Sequence, residues 1–322
     1  MKALDVCVVG EINLDLILYG LPKELVLDRE LLANRMALTL GSSSAICAHN
    51  LAALGTKVGF ISTTGGDPLG KIALERLAAS GVDVSRVKQG TGRTPTGMTV
   101  AIPYLQQRYI LTYPGTMFEM QYSDIDMEYV RSARHLHVSS FFLHRALRPR
   151  IVELFRQAKA AGLSTSLDTN DDPENKWDRD LLDVLKYVDI FLPNDREAKK
   201  IAHTADLSQA INLLAGLAKV VVVKRGSAAA ICRSGQEQYS LAPPTVKTVD
   251  DVGAGDSFDA GFIHQQIRGA KLEDCLAFAN LAGAYSTTKE GGTEAFRDRG
   301  ALTGFMRQQW NAMDRGALPF KG

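Results

Sequence analysis

Along most of this chain, short apolar runs of strand type alternate with helical segments, and that order restricts the fold more than any other feature. DVCVVG (5–10) comes first, and KVGFIST (57–63) follows the helical stretch SSAICAHNLAALG. HLHVSSF (135–141) precedes a helix around RPRIVELFRQAKAAG, and LSTSLDTN (163–170), YVDIFLPN (187–194) and AKVVVVKRG (218–226) repeat the pattern. Gly55, Gly81 and Gly162 stand where helices commonly stop. Strands separated by helices predict a parallel sheet covered on both faces.

Two stretches break the rhythm. Residues 13–40 and 93–113 hold alternating segments such as LDLILYG, RMALTLG, TGMTVAIPY and RYILTYPG, with turn residues between them. That is a hairpin signal. Paired into one small sheet over the carboxyl ends of the main strands, they would act as a lid; as plain edge strands they would not.

Bulk chemistry narrows the partners. The chain has 322 residues, 45% hydrophobic and 23% charged, enough for a large soluble core. With 37 Lys and Arg against 36 Asp and Glu, the net charge of +1 recruits neither nucleic acid nor an anionic membrane. The N-terminal run is interrupted by Asp5 and reads as a first strand rather than a signal peptide. No apolar stretch approaches the roughly 20 residues of a membrane helix. Cys7, Cys47, Cys232 and Cys275 form no CxxC pair, which fits reduced core thiols in a cytoplasmic protein.

The segment KTVDDVGAGDSFDAGF (247–262) carries the strongest chemical signal. Gly253, Ala254 and Gly255 lead into a helix with Phe258, Phe262, Ile263 and Ile267 near one side, and Gly269 where it would stop. Unpaired N–H groups and the dipole at a helix start favour an anion, and glycine lets backbone approach a phosphate. Asp256 beside that phosphate would repel it, so the position makes sense if Asp256 takes a proton from an attacking hydroxyl. Loss of one donor in such an anion hole typically costs about 2.7–4 kcal/mol of barrier. The plain alternative is an acid complementing the helix dipole behind a tight turn. The Walker pattern GxxxxGK[ST] is absent.

DDVGAGDSFDAGF resembles the C-terminal signature of the ribokinase/PfkB carbohydrate kinases, D-T-x-G-A-G-D-x-F. Asp250, Gly253, Ala254, Gly255, Asp256 and Phe258 match, and Asp251 replaces the usual threonine. GSSSAICAHNLAALG (41–55), TTGGDPLGK (63–71) and PNDREA (193–198), with Asn194 and Glu197 in the N-x-x-E motif, follow the family's order across essentially the whole chain. The resemblance implies one α/β domain over 1–322, a ribokinase-like three-layer α/β/α architecture with a mostly parallel sheet and a small β-sheet lid. It implies transfer of the ATP γ-phosphoryl group to a hydroxymethyl group, with Asp256 as base and Gly253, Ala254 and Gly255 as anion hole. Asn194 and Glu197 would organise Mg²⁺ and its waters; as ordinary residues they would be a helix N-cap and a solvated first-turn acid. The base of the nucleotide would lie near Asn280, with Lys224 and Gly226 on the phosphate and ribose side. Asp250 and the loop KEGGTEAF (289–296) would hold a monovalent cation, K⁺ in particular.

On the acceptor side, Asn13 and Asp15 match an early N-x-D, and a carboxylate suits adjacent sugar hydroxyls; a turn aspartate is the alternative. Gly41 and Ser42 should line the same pocket, as should Asp168 and Asn170 of SLDTNDDPENKW. The family's pattern of two glycines followed by an asparagine is incomplete, with Leu40 before Gly41 and the apolar Ile46 rather than an asparagine after it, which counts against ribose. No lysine marks a phosphosugar there, and Asp172 stands where arginine would pair an acid sugar. A neutral sugar is the first expectation and a nucleoside the second; a non-catalytic sensor of nucleotide or sugar is a third reading. His135, His137 and His144 read as core or pocket histidines, Trp177 and Trp310 as packing anchors, and Arg93, Tyr104 and Arg108 as lid residues facing substrate or solvent. A homodimer through the lid follows by analogy with the family.

Overall fold

In strand β1 (Leu4–Val9), Val6 and Val8 face one side while Cys7 and Val9 face the other, and all four are fully buried. A strand covered on both faces belongs to the interior of a parallel sheet. The computed structural model describes residues 2–90, 92–104 and 107–315. Position 1, residues 105 and 106 of the expected lid and the end of the expected domain, 316–322, lie outside the described residues.

The described residues include a nine-stranded sheet. Its order is β13 (Glu237–Leu241), β12 (Ala230–Ser234), β11 (Val220–Val223), β10 (Ile190–Phe191), β9 (Ser164–Leu167), β8 (Ala133–Val138), β1, β4 (Val58–Gly65) and β5 (Asp83–Gly90). From β11 to β5 every neighbouring pair is parallel, and β12 and β13 add an antiparallel edge hairpin. The predicted runs at 5–10, 57–63, 135–141, 163–170, 187–194 and 218–226 each overlap one of these strands, and β1, β4 and β8 extend one or two residues beyond their runs. β5, β12 and β13 carry mixed burial and weak alternation, and pattern reading passed over them.

Two apolar layers pack on the sheet. On one face, Cys7, Val9, Phe191, Val221 and Val223 meet α3 (Met127–Arg131), α4 (Ile151–Ala160), α5 (Asp180–Leu185), α6 (Asp195–Ile201) and α7 (Leu207–Ala215). Helix α4 buries Ile151, Leu154, Phe155 and Ala158, the spacing of one helical stripe. On the other face, Val6, Val8, Phe60 and Val222 meet α1 (Ser43–Ala53), α2 (Pro68–Ala79), α8 (Ala254–Gln266) and α9 (Leu272–Ser286). Helix α9 is buried on all sides from Cys275 to Ser286, because α10 (Arg299–Ala312) covers it with Leu302, Met306 and Trp310. Trp177 packs edge-on to Phe142, with ring centroids 5.3 Å apart. His135 and His137 lie within the sheet, bonded to Ser164, Ser166 and Ser139 at 2.7–2.8 Å.

The two irregular stretches form a second sheet of four strands, ordered β3 (Arg35–Leu40), β2 (Asn13–Tyr19), β6 (Gly97–Tyr104) and β7 (Gln107–Tyr113). β2 pairs with β3 and β6 with β7 in antiparallel fashion, and a parallel β2–β6 pair joins the two stretches. Asp15 thus stands between Thr39 and Thr99. Among the described residues, no helix is long and apolar enough to cross a membrane.

Candidate active site

A cavity of about 810 Å³ opens where the parallel strands end and the small sheet overhangs them. Four of the parallel strands deliver lining residues as the backbone leaves the sheet: Glu11 after β1, Asp168 and Asn170 after β9, Asn194 after β10, and Lys224 and Gly226 after β11. Ligand sites of open parallel sheets lie at these carboxyl ends. Asn13 and Asp15 of β2, Thr99 of β6 and Arg108 of β7 close it from above.

Gly253, Ala254, Gly255 and Asp256 border this cavity. The helix begins two residues earlier than an entry after Gly255 would require: α8 starts at Ala254, with Gly253 as its N-cap. Gly253 has φ +71°, and a Cβ there would lie 2.5 Å from the Gly292 backbone, so only glycine fits. The Ala254 N–H makes a long bond to the Asp251 carbonyl, at 3.3 Å, which leaves the first turn with little internal satisfaction of its donors. Burial, then the nearby Asp168 carboxylate, raises Asp256 to about 7. Near neutral pH this carboxyl group is therefore poised both to accept and to release a proton.

Asn194 and Glu197 occupy the first turn of α6 as a capping box. Glu197 is not the solvated acid of the simple helix-cap alternative: it is 4% exposed and faces the cavity. Burial, then Asp168, pushes its carboxyl up to about 8. The hard oxygen donors of Asn194 and of the buried Glu197 carboxyl fit a cation such as Mg²⁺ that keeps some of its waters.

Lys224 and Asp168, expected on phosphate and substrate respectively, both line the cavity and are paired with each other. The Lys224 Nζ lies 3.1 Å from Asp168 Oδ2 and 2.9 Å from Asp259 Oδ2. Burial opposes the ammonium charge, but Asp168 and Asp259 outweigh it and hold Lys224 above its usual range. Burial likewise opposes the Asp168 charge, but the Lys224 ammonium together with hydrogen bonds from the Asn170 N–H, Asp259 and Lys224 outweighs it, so Asp168 is held below its ordinary value as the ionised partner. Asp168, Asp256 and Asp259 form a carboxylate cluster of metal-ligand spacing, with the Lys224 ammonium already among them.

Asn13, Asp15, Ser42 and Asn170, expected at the acceptor, line the cavity together. Burial, then Asp256, raises Asp15 to about 7. Gly41 supports this wall from behind: a Cβ there would meet Asp15 Oδ1 at 2.1 Å and Asn13 Oδ1 at 2.3 Å. Ser42 donates to Asn13 Oδ1 at 3.0 Å and has φ +68°. Asn170 donates to Ser43 Oγ at 2.9 Å, and its φ is +53°. Positive φ at two non-glycine residues concentrates backbone strain on the cavity wall. Ile46, in place of a polar side chain, adds an apolar strip.

At the far end, Asn280 lines the cavity and its Nδ2 donates to the Leu241 carbonyl at 2.9 Å. Asp250 stands outside the cavity lining. Its Oδ2 accepts from Tyr19 Oη at 2.7 Å and the Gly291 N–H at 2.9 Å, and its Oδ1 from the Val252 N–H at 3.0 Å. It therefore fastens the small sheet to loop 289–296.

Comparison with known proteins settles the family. Residues 3–299 match the model of the pfkB family carbohydrate kinases. The chain belongs to that family. It is a phosphotransferase with an alcohol group as acceptor. The pfkB chain is 29% identical over 249 residues to an uncharacterized sugar kinase of Archaeoglobus fulgidus, covering 76% of this chain and 96% of that one. It is 29% identical over 267 residues to the ATP-dependent ribose-1-phosphate kinase of Halopiger xanaduensis, covering 79% and 82%. The structure of Arabidopsis thaliana ribokinase complexed with ribose and ATP superposes with a TM-score of 0.78 at 26% identity, covering 94% of this chain and 98% of that one.

Three residues at or beneath the cavity of this kinase, Glu11 and Ser43 in its lining and the buried Asp259 below it, escaped the sequence reading. Asp259 falls three residues after Asp256, on the same helical side, and that spacing was a usable signal. Glu11 and Ser43 carried none. Glu11 is 2% exposed, accepts from Ser44 Oγ at 2.6 Å and faces His144 Nε2 at 3.5 Å. Asp172, in the arginine position of acid-sugar kinases, accepts three backbone N–H groups, from Glu174, Lys176 and Trp177, and shapes its own loop.

Proposed function

We propose that the chain transfers the γ-phosphoryl group of ATP to a hydroxymethyl group of a neutral sugar, with Asp256 as general base. The observation that carries this reading is the placement of Asp256: it lines the cavity at the first turn of α8, behind Gly253, in the same cavity as Asp15, Asn170, Glu197 and Asn280. A hydroxyl held at Asp15 and Asn170 would give its proton to Asp256 as its oxygen attacks phosphorus. The N–H groups of Gly253, Ala254 and Gly255 would receive the charge on the transferred group. Asn280 would lie by the nucleotide base, and Gly226 along its phosphates and ribose. Mg²⁺, held through Glu197 and Asn194, would supply charge neutralisation to the phosphates.

The acceptor end supports a sugar over a nucleoside. Among the described residues lining the cavity, Phe258 is the aromatic one, and it packs beside Gly283 of α9, the helix of Asn280. The acceptor end offers Asn13, Asp15, Ser42, Thr99 and Asn170, hydrogen-bonding groups suited to hydroxyls rather than a platform for stacking. Met36, Tyr109, Leu111 and Tyr113 of the small sheet are at least half exposed, and we place a homodimer contact there. The four buried free thiols fit the cytoplasm.

The test is ADP formation from ATP and Mg²⁺, with and without K⁺, across neutral sugars and nucleosides. Turnover with a sugar that disappears in Asp256→Asn supports the reading. Preferential turnover with a nucleoside overturns the acceptor assignment. ATP binding with no turnover on any acceptor favours a sensor. A K⁺-independent rate removes the cation expected at Asp250.

A further inference from the structure

Lys224 is enclosed to 11% exposure at the floor of the cavity, which leaves its ammonium too confined to follow a substrate. We propose that Lys224 is a positioning residue for the transfer: it locks the end of β9 to helix α8 beneath the glycine loop and fixes Asp256, with a positive charge behind the anion hole. This rests on the kinase reading above.

Four elements meet at this one residue. Its Nζ joins Asp168, one residue past β9, to Asp259 on α8. Its backbone joins the end of β11 to the start of α6, since the Lys224 N–H donates to the Pro193 carbonyl and the Asp195 N–H donates to the Lys224 carbonyl, each at 3.0 Å. The ammonium also lies directly against the loop: a Cβ on Gly255 would be 3.6 Å from Nζ. The loop therefore rests on a fixed cation that is tied to the strand carrying Asp168 and Asn170.

The charge balance of the site needs that cation. Asp168 and Glu11 face Asp256 from the ends of β9 and β1, Asp15 faces it from β2 above, and Asp259 from its own helix. Glu197 of α6 faces Lys224, and Arg108 of β7 faces Asp15 from the lid. Arg108 is already paired with Asp251. Lys224 is thus the buried positive charge among five carboxyl groups around the base, and neutralising it would make a carboxylate at 256 harder to form.

The experiment measures kcat/KM for the acceptor against pH in the wild type, Lys224→Met, Lys224→Arg and Lys224→Met/Asp259→Asn, with melting curves for each. The double variant guards against unfolding, because it removes both partners and leaves an amide to donate to Asp168. Lys224→Met is expected to lower kcat at least about tenfold, keep KM for ATP within about threefold, and move the acid limb up by about one pH unit. Lys224→Arg should bring the midpoint back toward the wild type, and the folded double variant should show a smaller upward shift, because it also removes the Asp259 carboxylate that opposes a charge at 256. Lost activity with an unmoved midpoint, in either folded variant lacking Lys224, overturns the proposal and leaves a packing role. A wild type that turns over no acceptor defeats the kinase reading itself, and the Lys224 role falls with it.

Discussion

Asn194 and Glu197 cap one another at the start of α6: Asn194 Oδ1 accepts from the Glu197 N–H, and Glu197 Oε2 from the Asn194 N–H, each at 2.9 Å. The pair is both a helix start and a candidate cation site, and one substitution separates the roles. Glu197→Gln keeps an oxygen for the cap and removes the charge. It should melt close to the wild type while needing more Mg²⁺ for half-maximal rate. An unchanged Mg²⁺ curve would return Glu197 to capping alone. Asn194→Ala should cost about 1 kcal/mol of stability, read from its thermal or denaturant midpoint.

Asp256→Asn should abolish turnover by at least about two orders of magnitude while ATP still binds, since it removes the base and keeps the loop. It should also change stability in a pH-dependent way. The carboxyl of Asp256 is raised from its ordinary value to about 7. The folded state therefore binds more protons than the unfolded state between roughly pH 4 and 7, so this group's contribution is full below that window and lost as pH rises through it. The ligand-free variant should match the wild type near pH 4 and melt higher near pH 8. Equal melting differences at both pH values would contradict a raised carboxyl. The acid limb of kcat/KM in the wild type should fall below about pH 7 for the same reason.

Arg108 of the small sheet pairs with Asp251 beside the glycine loop, in the position where the family has threonine. Asp251 is 72% exposed, so the pair contributes only about 0.2–1 kcal/mol to stability. Asp251→Thr should leave the melting point almost unchanged yet raise KM for the acceptor, more so at low salt, by loosening the overhanging sheet. A KM unaffected at every ionic strength would make the pair a surface contact only.

Gly41→Ala and Gly253→Ala should fail for different reasons. At 41 the new methyl group collides with the side chains of Asp15 and Asn13, so acceptor binding is lost with modest destabilisation. At 253 it meets the Gly292 backbone in a left-handed conformation that itself costs about 1–2 kcal/mol, so turnover and stability fall together. Isothermal binding of acceptor and nucleotide to each folded variant separates the two outcomes.

The order of strands and helices was legible because periodicity is local. The valines of β11 and the stripe of α4 announce themselves within ten residues, and so does the GAGD turn before α8. The hairpin of β12 and the edge strand β13 was not legible, since residues such as Arg233, Gln238 and Ser240, open to solvent in part or wholly, carry little alternation. Of the site, Asp256, Asn194, Glu197, Asp15 and Asn170 were read from motif positions and the fold brings them to one cavity. Glu11 and Ser43 were missed, as their meaning depends on neighbours elsewhere in the chain.

By itself, the sequence determined which segments become strands, where helices start and stop, and which small stretch carries the acid behind glycine; each is written in spacing over a turn or two. Tertiary structure alone decided which charges meet. Lys224 finds Asp259 across 35 residues and Asp168 across 56, and Tyr19 finds Asp250 across 231. Those contacts depend on the crossover geometry of the parallel sheet and on the β2–β6 pairing, which no local pattern encodes.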